Sequence, residues 1–153
     1  MPDFIMMVGL PGSGKSTWAN YNCSVTNHVY YSTDAIIEAE ANRQKLTYNE
    51  IFKDYISIAT MEMKSLMNIG VQMGMNIIND QTNLTKRSRA WKIDLARKHG
   101  YKTIAVIIPT PEREIWLRRL DRPGKTIPRN ILVSMARSYE PPTDKEFDKI
   151  IYV

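Results

Sequence analysis

Short apolar runs recur along the chain, separated by longer stretches in which apolar residues return every three or four positions. The runs have the length and the β-branched or aromatic content of buried strands, whereas the longer stretches have helical periodicity. Elements that alternate in this way form parallel βαβ units with helices on both faces of a sheet. We therefore expect a three-layer α/β fold with a parallel sheet of about five strands. The predicted strands are residues 4–8, 28–32, 75–80, 103–109 and 149–153.

The helical stretches carry start and stop signals. The first helix should begin at Lys15 and extend to about Tyr21. Thr85 is expected to cap a basic helix that Gly100 ends, and Pro111 is expected in the first turn of the next helix. One long helical pattern lies between the second and third predicted strands, and its apolar residues are Phe52, Ile56, Ala59, Met63, Leu66 and Gly70.

Composition limits the class of protein. The 153 residues are 43% hydrophobic and 24% charged, which suits a single globular domain over 1–153. Cys23 is the only cysteine, so an intramolecular disulfide and a cysteine-based zinc site are excluded. No apolar run approaches the length of a membrane span. We expect a soluble cytoplasmic protein with no membrane partner, and the sequence does not indicate an oligomeric state.

The positive charge is concentrated in one part of the chain. Between Gln81 and Arg137 there are 14 Lys and Arg against 4 Asp and Glu, a net charge of +10 within a chain of +5. Such a segment attracts polyphosphate, whether nucleotide or nucleic acid. Solvated helix faces would give the same composition.

The segment 9–16 is the strongest chemical signal. It reads GLPGSGKS, it follows a predicted strand and it precedes a predicted helix, as a phosphate-binding loop requires. Lys15 would bind the β- and γ-phosphates of ATP, Ser16 would bind Mg²⁺, and Thr17 is placed for the α-phosphate. No guanine-reading Asn-Lys-x-Asp follows the fourth strand, which leaves kinases and ATPases. The residues expected to bind the nucleotide are Gly9, Gly12, Ser13, Gly14, Lys15, Ser16 and Thr17.

Two acids follow predicted strands. Asp34 and Asp80 should face the phosphate loop, because ligands of open α/β sheets bind beyond the carboxyl ends of the strands. Asp34 is our candidate for the base that accepts the proton of an acceptor hydroxyl, although it would also suit a helix N-cap. Asp80 could hold a water on Mg²⁺ or position the acceptor. Thr82 and Asn83 are either further ligands or turn residues.

Four segments together resemble the phage-type 5′-polynucleotide kinase domain, over nearly the whole chain. They are GLPGSGKSTW, Asp34 at its strand end, NDQTNLTKRSRAW and RRLDRPGKTIP. The DQTN segment is also similar to the kinase domain of polynucleotide kinase phosphatases and to the P-loop domain of heterogeneous nuclear ribonucleoprotein U. The resemblance implies a P-loop kinase fold with a lid at about 113–130. It also implies ATP- and Mg²⁺-dependent phosphorylation of the 5′ end of DNA or RNA, as in nucleic-acid repair.

The resemblance also implies roles for individual residues. Lys15 and Ser16 would hold ATP and Mg²⁺, Asp34 would be the general base, and Asp80 would lie beside the acceptor together with Thr82 and Asn83. Arg118 and Arg122 match the R-x-x-x-R of the lid and would fold over the β- and γ-phosphates. Their spacing agrees with this role, since residues i and i+4 share one helix face.

One position departs from the family pattern. Members that grip the phosphate next to the target hydroxyl have an arginine three residues after the base, where this chain has Ile37. Arg43, or the basic helix with Lys86, Arg87 and Arg89, could replace it. Two other functions therefore stay open: a kinase for a nucleoside, a small alcohol or a modified-base hydroxyl, and a non-catalytic ATP-binding nucleic-acid adaptor.

Overall fold

A parallel sheet of five strands forms the centre of the computed structural model, which describes residues 1–153. The first strand of the chain, FIMMV with a preceding aspartate, lies in the middle of the sheet and is buried on both faces. Such a continuous apolar run is typical of an interior parallel strand. The strands are β1 (Asp3–Val8), β2 (Val29–Tyr31), β3 (Ile77–Asn79), β4 (Lys102–Ile107) and β5 (Lys149–Tyr152), in the order β2-β3-β1-β4-β5.

Six helices connect the strands and follow them in the alternating order that the sequence predicts. None of them combines the length and the hydropathy that crossing a bilayer requires. The helices are α1 (Lys15–Thr26), α2 (Thr33–Gln44), α3 (Tyr48–Gln72), α4 (Lys86–Lys98), α5 (Arg113–Leu120) and α6 (Arg129–Ser138).

The pleat of β1 divides the core into two layers. Phe4, Met6 and Val8 point to one face, where α3 and α4 cover them. Ile5 and Met7 point to the other face and pack against α1. The fold is thus the three-layer α/β arrangement that the sequence predicts, with helices on both sides of the sheet.

The long helical pattern after the second strand is two helices, which corrects the prediction of one. Lys45 has a left-handed backbone (φ 58°) and ends α2, and Thr47 begins α3 with a capping box to Glu50. The two helices pack through a small apolar cluster that includes Ile37 and Ile51. This helix pair forms one wall of the cleft described below.

Other boundaries differ from the predicted ones. Helix α1 continues to Thr26, well beyond Tyr21, and α5 begins at Arg113, so Pro111 lies before the helix and not in its first turn. Thr85 and Gly100 occupy the predicted ends of α4, with Gly100 at φ 76°. On α3, the predicted apolar residues Phe52 and Leu66 are each 40% exposed, while the buried residues are Ile51, Ala59, Met63, Met67, Gly70 and Val71.

Candidate functional site

The phosphate loop lies between β1 and α1 and has the geometry of an anion site. Gly12 and Gly14 have positive φ angles of 75° and 107°, which turn the loop backbone at little steric cost. The N-terminus of α1 has no side-chain cap, so its backbone N–H groups are free to bind an anion. The hydroxyl of Ser13 is buried and has no hydrogen-bond partner. These unpaired donors fit the phosphates of a nucleotide.

Lys15 supplies the positive charge of the loop. Its side chain is buried, and its ammonium donates to the carbonyl of Leu10 at 2.9 Å. Burial lowers the pKa of Lys15, and the nearby carboxylates of Asp80 and Asp34 act in the opposite direction. Arg122 also lowers this pKa, so its guanidinium acts on the same site. A phosphate bound in the loop would form a strong charge-assisted hydrogen bond with this buried ammonium.

Asp80 follows β3 and contacts the loop directly. Its Oδ2 accepts a hydrogen bond from Ser16 Oγ at 2.7 Å and another from the hydroxyl of Tyr30 at 2.6 Å. Desolvation and the Asp80 charge raise the pKa of Tyr30, which keeps that phenol a donor. Mg²⁺ that is bound to nucleotide phosphates needs few protein ligands, and a P-loop hydroxyl beside a carboxylate can supply them. The chain itself has no group of three or more acidic, histidine or cysteine side chains that could hold a metal.

Asp34 lies in the first turn of α2, and its carboxylate is held by two groups. Tyr48 donates its hydroxyl to Oδ1 at 2.7 Å, and the Lys125 ammonium lies 3.3 Å from Oδ2. Ser32, not Asp34, is the N-cap of α2 and accepts from the amide of Ala35. The side chain of Asp34 is 58% exposed. Capping therefore does not occupy Asp34, which the structure leaves accessible from the cleft.

Lys125 belongs to the loop between α5 and α6, which is fastened to the start of α3. The backbone N–H of Asn49 donates to the carbonyl of Gly124 at 2.9 Å. Asn49 and Thr126 exchange two further hydrogen bonds, of 2.7 and 3.2 Å. Lys125 also bonds to Glu38 and lies 4.6 Å from the ring centroid of Tyr48. We call residues 122–128 the lid strap, because they join the lid to the α2–α3 wall.

Comparison with known proteins identifies the family. Residues 4–142 match the AAA domain family AAA_33. The chain belongs to this family. Among curated relatives, heterogeneous nuclear ribonucleoprotein U-like protein 2 of mouse and human is 24% identical over 164 residues. That alignment covers 98% of this chain and 21% of the ribonucleoprotein, so the chain corresponds to a small part of its relatives.

Solved structures show the same fold for this AAA domain. A candidate kinase from Chloroflexus aurantiacus superposes with a TM-score of 0.77 at 17% identity, covering 99% of this chain and 87% of that one. The Pnkp1/Rnl/Hen1 RNA repair complex superposes with a TM-score of 0.69 at 22% identity, covering 90% of this chain and 43% of that one. The AAA domain therefore has a P-loop kinase fold.

One cleft of about 1260 Å³ joins the parts of the AAA domain described above. Its nucleotide side contains the phosphate loop, Asp80 and the lid cations Arg119 and Arg122. Its other side is lined by α3, α6, the loop after β3 and the end of the lid strap, with both apolar and polar side chains. We call this part the acceptor side, and it is lined by Phe52, Lys53, Ile56, Thr60, Gln81, Thr82, Ile127, Ile131 and Met135.

Four of the predicted site residues do not line this cleft: Gly9, Ser13, Asn83 and Arg118. Gly9 and Ser13 are buried within the phosphate loop. Asn83 is 2% exposed, and its amide donates inward to the carbonyl of Met7 at 2.7 Å. Its side-chain oxygen accepts from Lys92, so the residue holds the loop in place. Arg118 is exposed on α5 and does not line the cleft. Helix α5 ends at Leu120, so Arg122 lies beyond the helix. The expected i, i+4 face shared by Arg118 and Arg122 is therefore absent.

Several residues in the cleft or beside it were missing from the sequence-based prediction. Arg119 donates to the carbonyl of Ser13 at 3.2 Å, and the Trp116 indole donates to the carbonyl of Pro11 at 2.7 Å. Both contacts hold α5 against the phosphate loop. Arg119 and Lys125 are within the RRLDRPGKTIP segment. This segment predicted a lid with cationic residues, but it did not indicate which of its cations point into the cleft. Nothing in the sequence indicated that Tyr30 and Tyr48 would contact the site.

The proposed substitutes for the missing acceptor arginine do not reach the cleft either. Ile37 is fully buried in the α2–α3 contact. Arg43 pairs with Glu40 on an exposed turn of α2. Arg89 is fully buried and pairs with Glu146 at 2.9 Å, while Lys86 and Arg87 are exposed outside the cleft.

Proposed function

We propose that this AAA domain is an ATP- and Mg²⁺-dependent kinase that phosphorylates the 5′-hydroxyl of DNA or RNA. The observation that carries the proposal is the convergence of Lys15, Asp34 and Asp80 in one cleft, close enough for both carboxylates to act on the pKa of Lys15. A phosphate loop needs no second carboxylate to bind nucleotide, whereas transfer to an alcohol needs a proton acceptor.

The nucleotide side would bind ATP through donors that are unpaired in the structure. Ser13 and the N-terminus of α1 would contact phosphate oxygens, and Lys15 would move from the carbonyl of Leu10 to the β- and γ-phosphates. Arg119 and Arg122 line this side and would stabilise the charge of the transferred group. The predicted role of Arg118 requires its side chain to move inward.

Ser16 and Asp80 are the residues that would hold Mg²⁺. Their direct hydrogen bond of 2.7 Å shows that both reach one point beside the phosphate loop. When bound, Mg²⁺ neutralises charge on the β- and γ-phosphate oxygens. This contact favours the metal-side role of Asp80 over the alternative in which it positions the acceptor. Thr82 contributes its carbonyl to the loop by accepting from Gly9 at 3.1 Å.

Asp34 would act as the base. The acceptor oxygen forms a bond to the γ-phosphorus, the bond between that phosphorus and the bridging oxygen of ADP breaks, and Asp34 takes the hydroxyl proton. Tyr48 fixes Oδ1 by its hydrogen bond, which leaves Oδ2 for the acceptor. Lys125 now lies at Oδ2, so an incoming hydroxyl would take the place of this contact while Lys125 stays bonded to Glu38.

The nucleic-acid part of the proposal is supported by the motif resemblance and by the fold shared with the RNA repair complex. A kinase for a nucleoside, small alcohol or modified-base hydroxyl is the second candidate. The observation that favours it is Ile37, since its burial leaves no cation at the position where the family places the acceptor arginine. A non-catalytic adaptor would not require the Tyr48-oriented carboxylate of Asp34.

The experiment is transfer of γ-labelled phosphate from ATP in the presence of Mg²⁺, with four parallel acceptors. They are 5′-hydroxyl DNA, 5′-hydroxyl RNA, free nucleosides and water alone. Label on oligonucleotide 5′ ends is the expected result. Label on nucleosides only would favour the second candidate, and ATP binding without any transfer would favour the adaptor.

A further inference from the structure

Both oxygens of the Asp34 carboxylate are engaged by side chains of other elements. Tyr48 donates its hydroxyl to Oδ1 at 2.7 Å, and the Lys125 ammonium lies 3.3 Å from Oδ2. Burial and the Asp34 charge raise the pKa of Tyr48, so its hydroxyl stays a donor. A group that takes a hydroxyl proton must lie within hydrogen-bond distance of that hydroxyl. Lys125 therefore occupies the approach to Oδ2, the oxygen that Tyr48 does not hold.

Glu38 gives Lys125 a second carboxylate partner. Asp34 and Glu38 are four residues apart on α2, so their side chains share one face of the helix. The Lys125 ammonium bonds to Glu38 while it pairs with Asp34. The Lys125 side chain is only 13% exposed, and its ammonium lies 4.6 Å from the ring centroid of Tyr48. An ammonium in this position can leave Asp34 and still keep one ion pair.

The lid strap fixes the backbone of Lys125 on both sides. The N–H of Asn49 donates to the carbonyl of Gly124, and Asn49 exchanges two hydrogen bonds with Thr126. Gly124 and Thr126 are the chain neighbours of Lys125. The fold itself therefore holds Lys125 beside Asp34, in addition to the ion pair.

Water and an alcohol differ in how they can displace this ammonium. An alcohol that binds elsewhere in the cleft can use that binding free energy to bring its hydroxyl to Oδ2 of Asp34. A water molecule makes no such additional contacts. Lys125 therefore hinders the approach of water to Asp34 more than it hinders a bound acceptor.

We propose that Lys125 blocks the access of water to Asp34 when no acceptor is bound, and that Glu38 retains Lys125 when an acceptor hydroxyl displaces it. This inference rests on the proposed role of Asp34 as the base, and it holds for any alcohol acceptor. In the reaction that Lys125 suppresses, a water oxygen bonds to the γ-phosphorus, the bond from that phosphorus to the bridging oxygen of ADP breaks, and Asp34 takes a water proton. The products are ADP and inorganic phosphate.

The test measures phosphate release from ATP in the presence of Mg²⁺ and without an acceptor. Lys125→Met should raise this rate by about threefold to fivefold over the wild type, the upper range for a partly exposed ion pair. Lys125→Arg retains the cation and should stay near the wild-type rate. Adding Asp34→Asn to Lys125→Met should remove the increase. Lys64→Met is the matched control, because Lys64 lies over Trp91 outside the cleft, and it should not change the rate.

The part assigned to Glu38 is measured with a 5′-hydroxyl oligonucleotide as acceptor. In Glu38→Gln, Lys125 has only Asp34 as an anionic partner, so the KM for the acceptor should rise by about threefold to fivefold. Adding Lys125→Met should reverse this rise. Glu40→Gln is the matched control, because it removes the same charge from α2 where Glu40 pairs with Arg43 outside the cleft. It should leave the KM unchanged.

Two results would overturn the inference: a rate of hydrolysis that does not change in Lys125→Met, or an increase that persists when Asp34→Asn is added. An unchanged KM in Glu38→Gln would contradict the part assigned to Glu38. An increase in hydrolysis that depends on Asp34, in a protein that labels no acceptor, would support the role of Lys125 and would contradict the proposed kinase function.

Discussion

Lys92 shows how a single residue can shape the site without entering it. Its side chain is 4% exposed, and its ammonium donates to the side-chain oxygen of Asn83 in the loop after β3. Burial lowers the pKa of Lys92 to about 7, and the charges of Lys64 and Arg89 act in the same direction. Lys92 belongs to the basic segment 81–137 that was expected to attract polyphosphate. In the structure its ammonium supports the loop after β3 from the interior of the protein.

The pKa of Lys92 predicts a pH-dependent contribution to stability. The folded protein releases this proton near pH 7, whereas the unfolded chain holds it to about pH 10.5, so the unfolded state binds more protons between these values. Wild-type stability should therefore rise with pH relative to Lys92→Met, by roughly 4 to 5 kcal/mol across this range. Urea unfolding of both proteins near pH 6 and pH 10 measures the change. A constant difference between them would contradict the assigned pKa.

The predicted site residues that the structure brings together in the cleft are those whose place is fixed by backbone motifs. Lys15 and Ser16 follow from the phosphate loop, and Asp34 and Asp80 follow from the strand ends, because parallel strands bring these points to one edge. Asn83 was predicted because it lies on the same loop as Asp80, and Arg118 because it matches the R-x-x-x-R of the lid and has i, i+4 spacing to Arg122. The direction of such side chains depends on tertiary packing: the amide of Asn83 points inward, where it donates to the carbonyl of Met7 in β1.

At the scale of elements, the lid strap is the feature that periodicity could not predict. Helix α5 ends at Leu120, so the spacing rules of a helix do not extend to Arg122. The contacts of the strap with α3 join residues far apart in sequence, such as Asn49 and Thr126. Through Lys125 the strap touches Asp34 directly. The position of the lid and the environment of Asp34 are thus coupled.

Gly124 gives a test of this coupling. It has a φ of +71°, and a Cβ there would lie 2.7 Å from the Cβ and Cγ2 of Thr47. Gly124→Ala should therefore push the strap away from α3 and lower the turnover of phosphate transfer by about tenfold to a hundredfold, since small displacements of reacting groups cost that much. Steady-state kinetics measures the loss.

Gly74→Ala is the matched control, because Gly74 has a φ of +69° and open space where the Cβ would be. The positive φ alone should cost each variant about 1 to 2 kcal/mol of stability, and Gly124→Ala has in addition the clash with Thr47. Only Gly124→Ala should impair turnover. Equal turnover in the two variants would show that the contact between the strap and α3 does not matter for the reaction.

At the scale of the whole molecule, Arg89 connects the candidate site to the C-terminal segment. Its fully buried guanidinium donates to the carbonyls of Asn83 and Glu140 and pairs with the carboxylate of Glu146. The loop after β3, α4 and the residues before β5 are therefore fastened at one point. Net charge did not distinguish this structural arginine from the cations of the cleft, because composition carries no information on burial.

Arg89→Met should destabilise the fold by about 3 to 5 kcal/mol, because it leaves the carboxylate of Glu146 without its cation and two carbonyls without their donor. Arg87→Met, at an exposed position of the same helix, should change stability by less than about 0.5 kcal/mol. Urea unfolding compares the two variants. A small effect of Arg89→Met would contradict the fastening role of this residue and restore its candidacy for nucleic-acid contact.

Asp34 is proposed above to take the proton of an acceptor hydroxyl in the cleft that would bind ATP. The most direct test is phosphate transfer to a 5′-hydroxyl oligonucleotide by the wild type and by Asp34→Asn, with ATP affinity measured in parallel. If Asp34 is the base, Asp34→Asn should lower turnover by about 10² to 10⁴ and leave ATP affinity nearly unchanged. Equal turnover in the two proteins would contradict it.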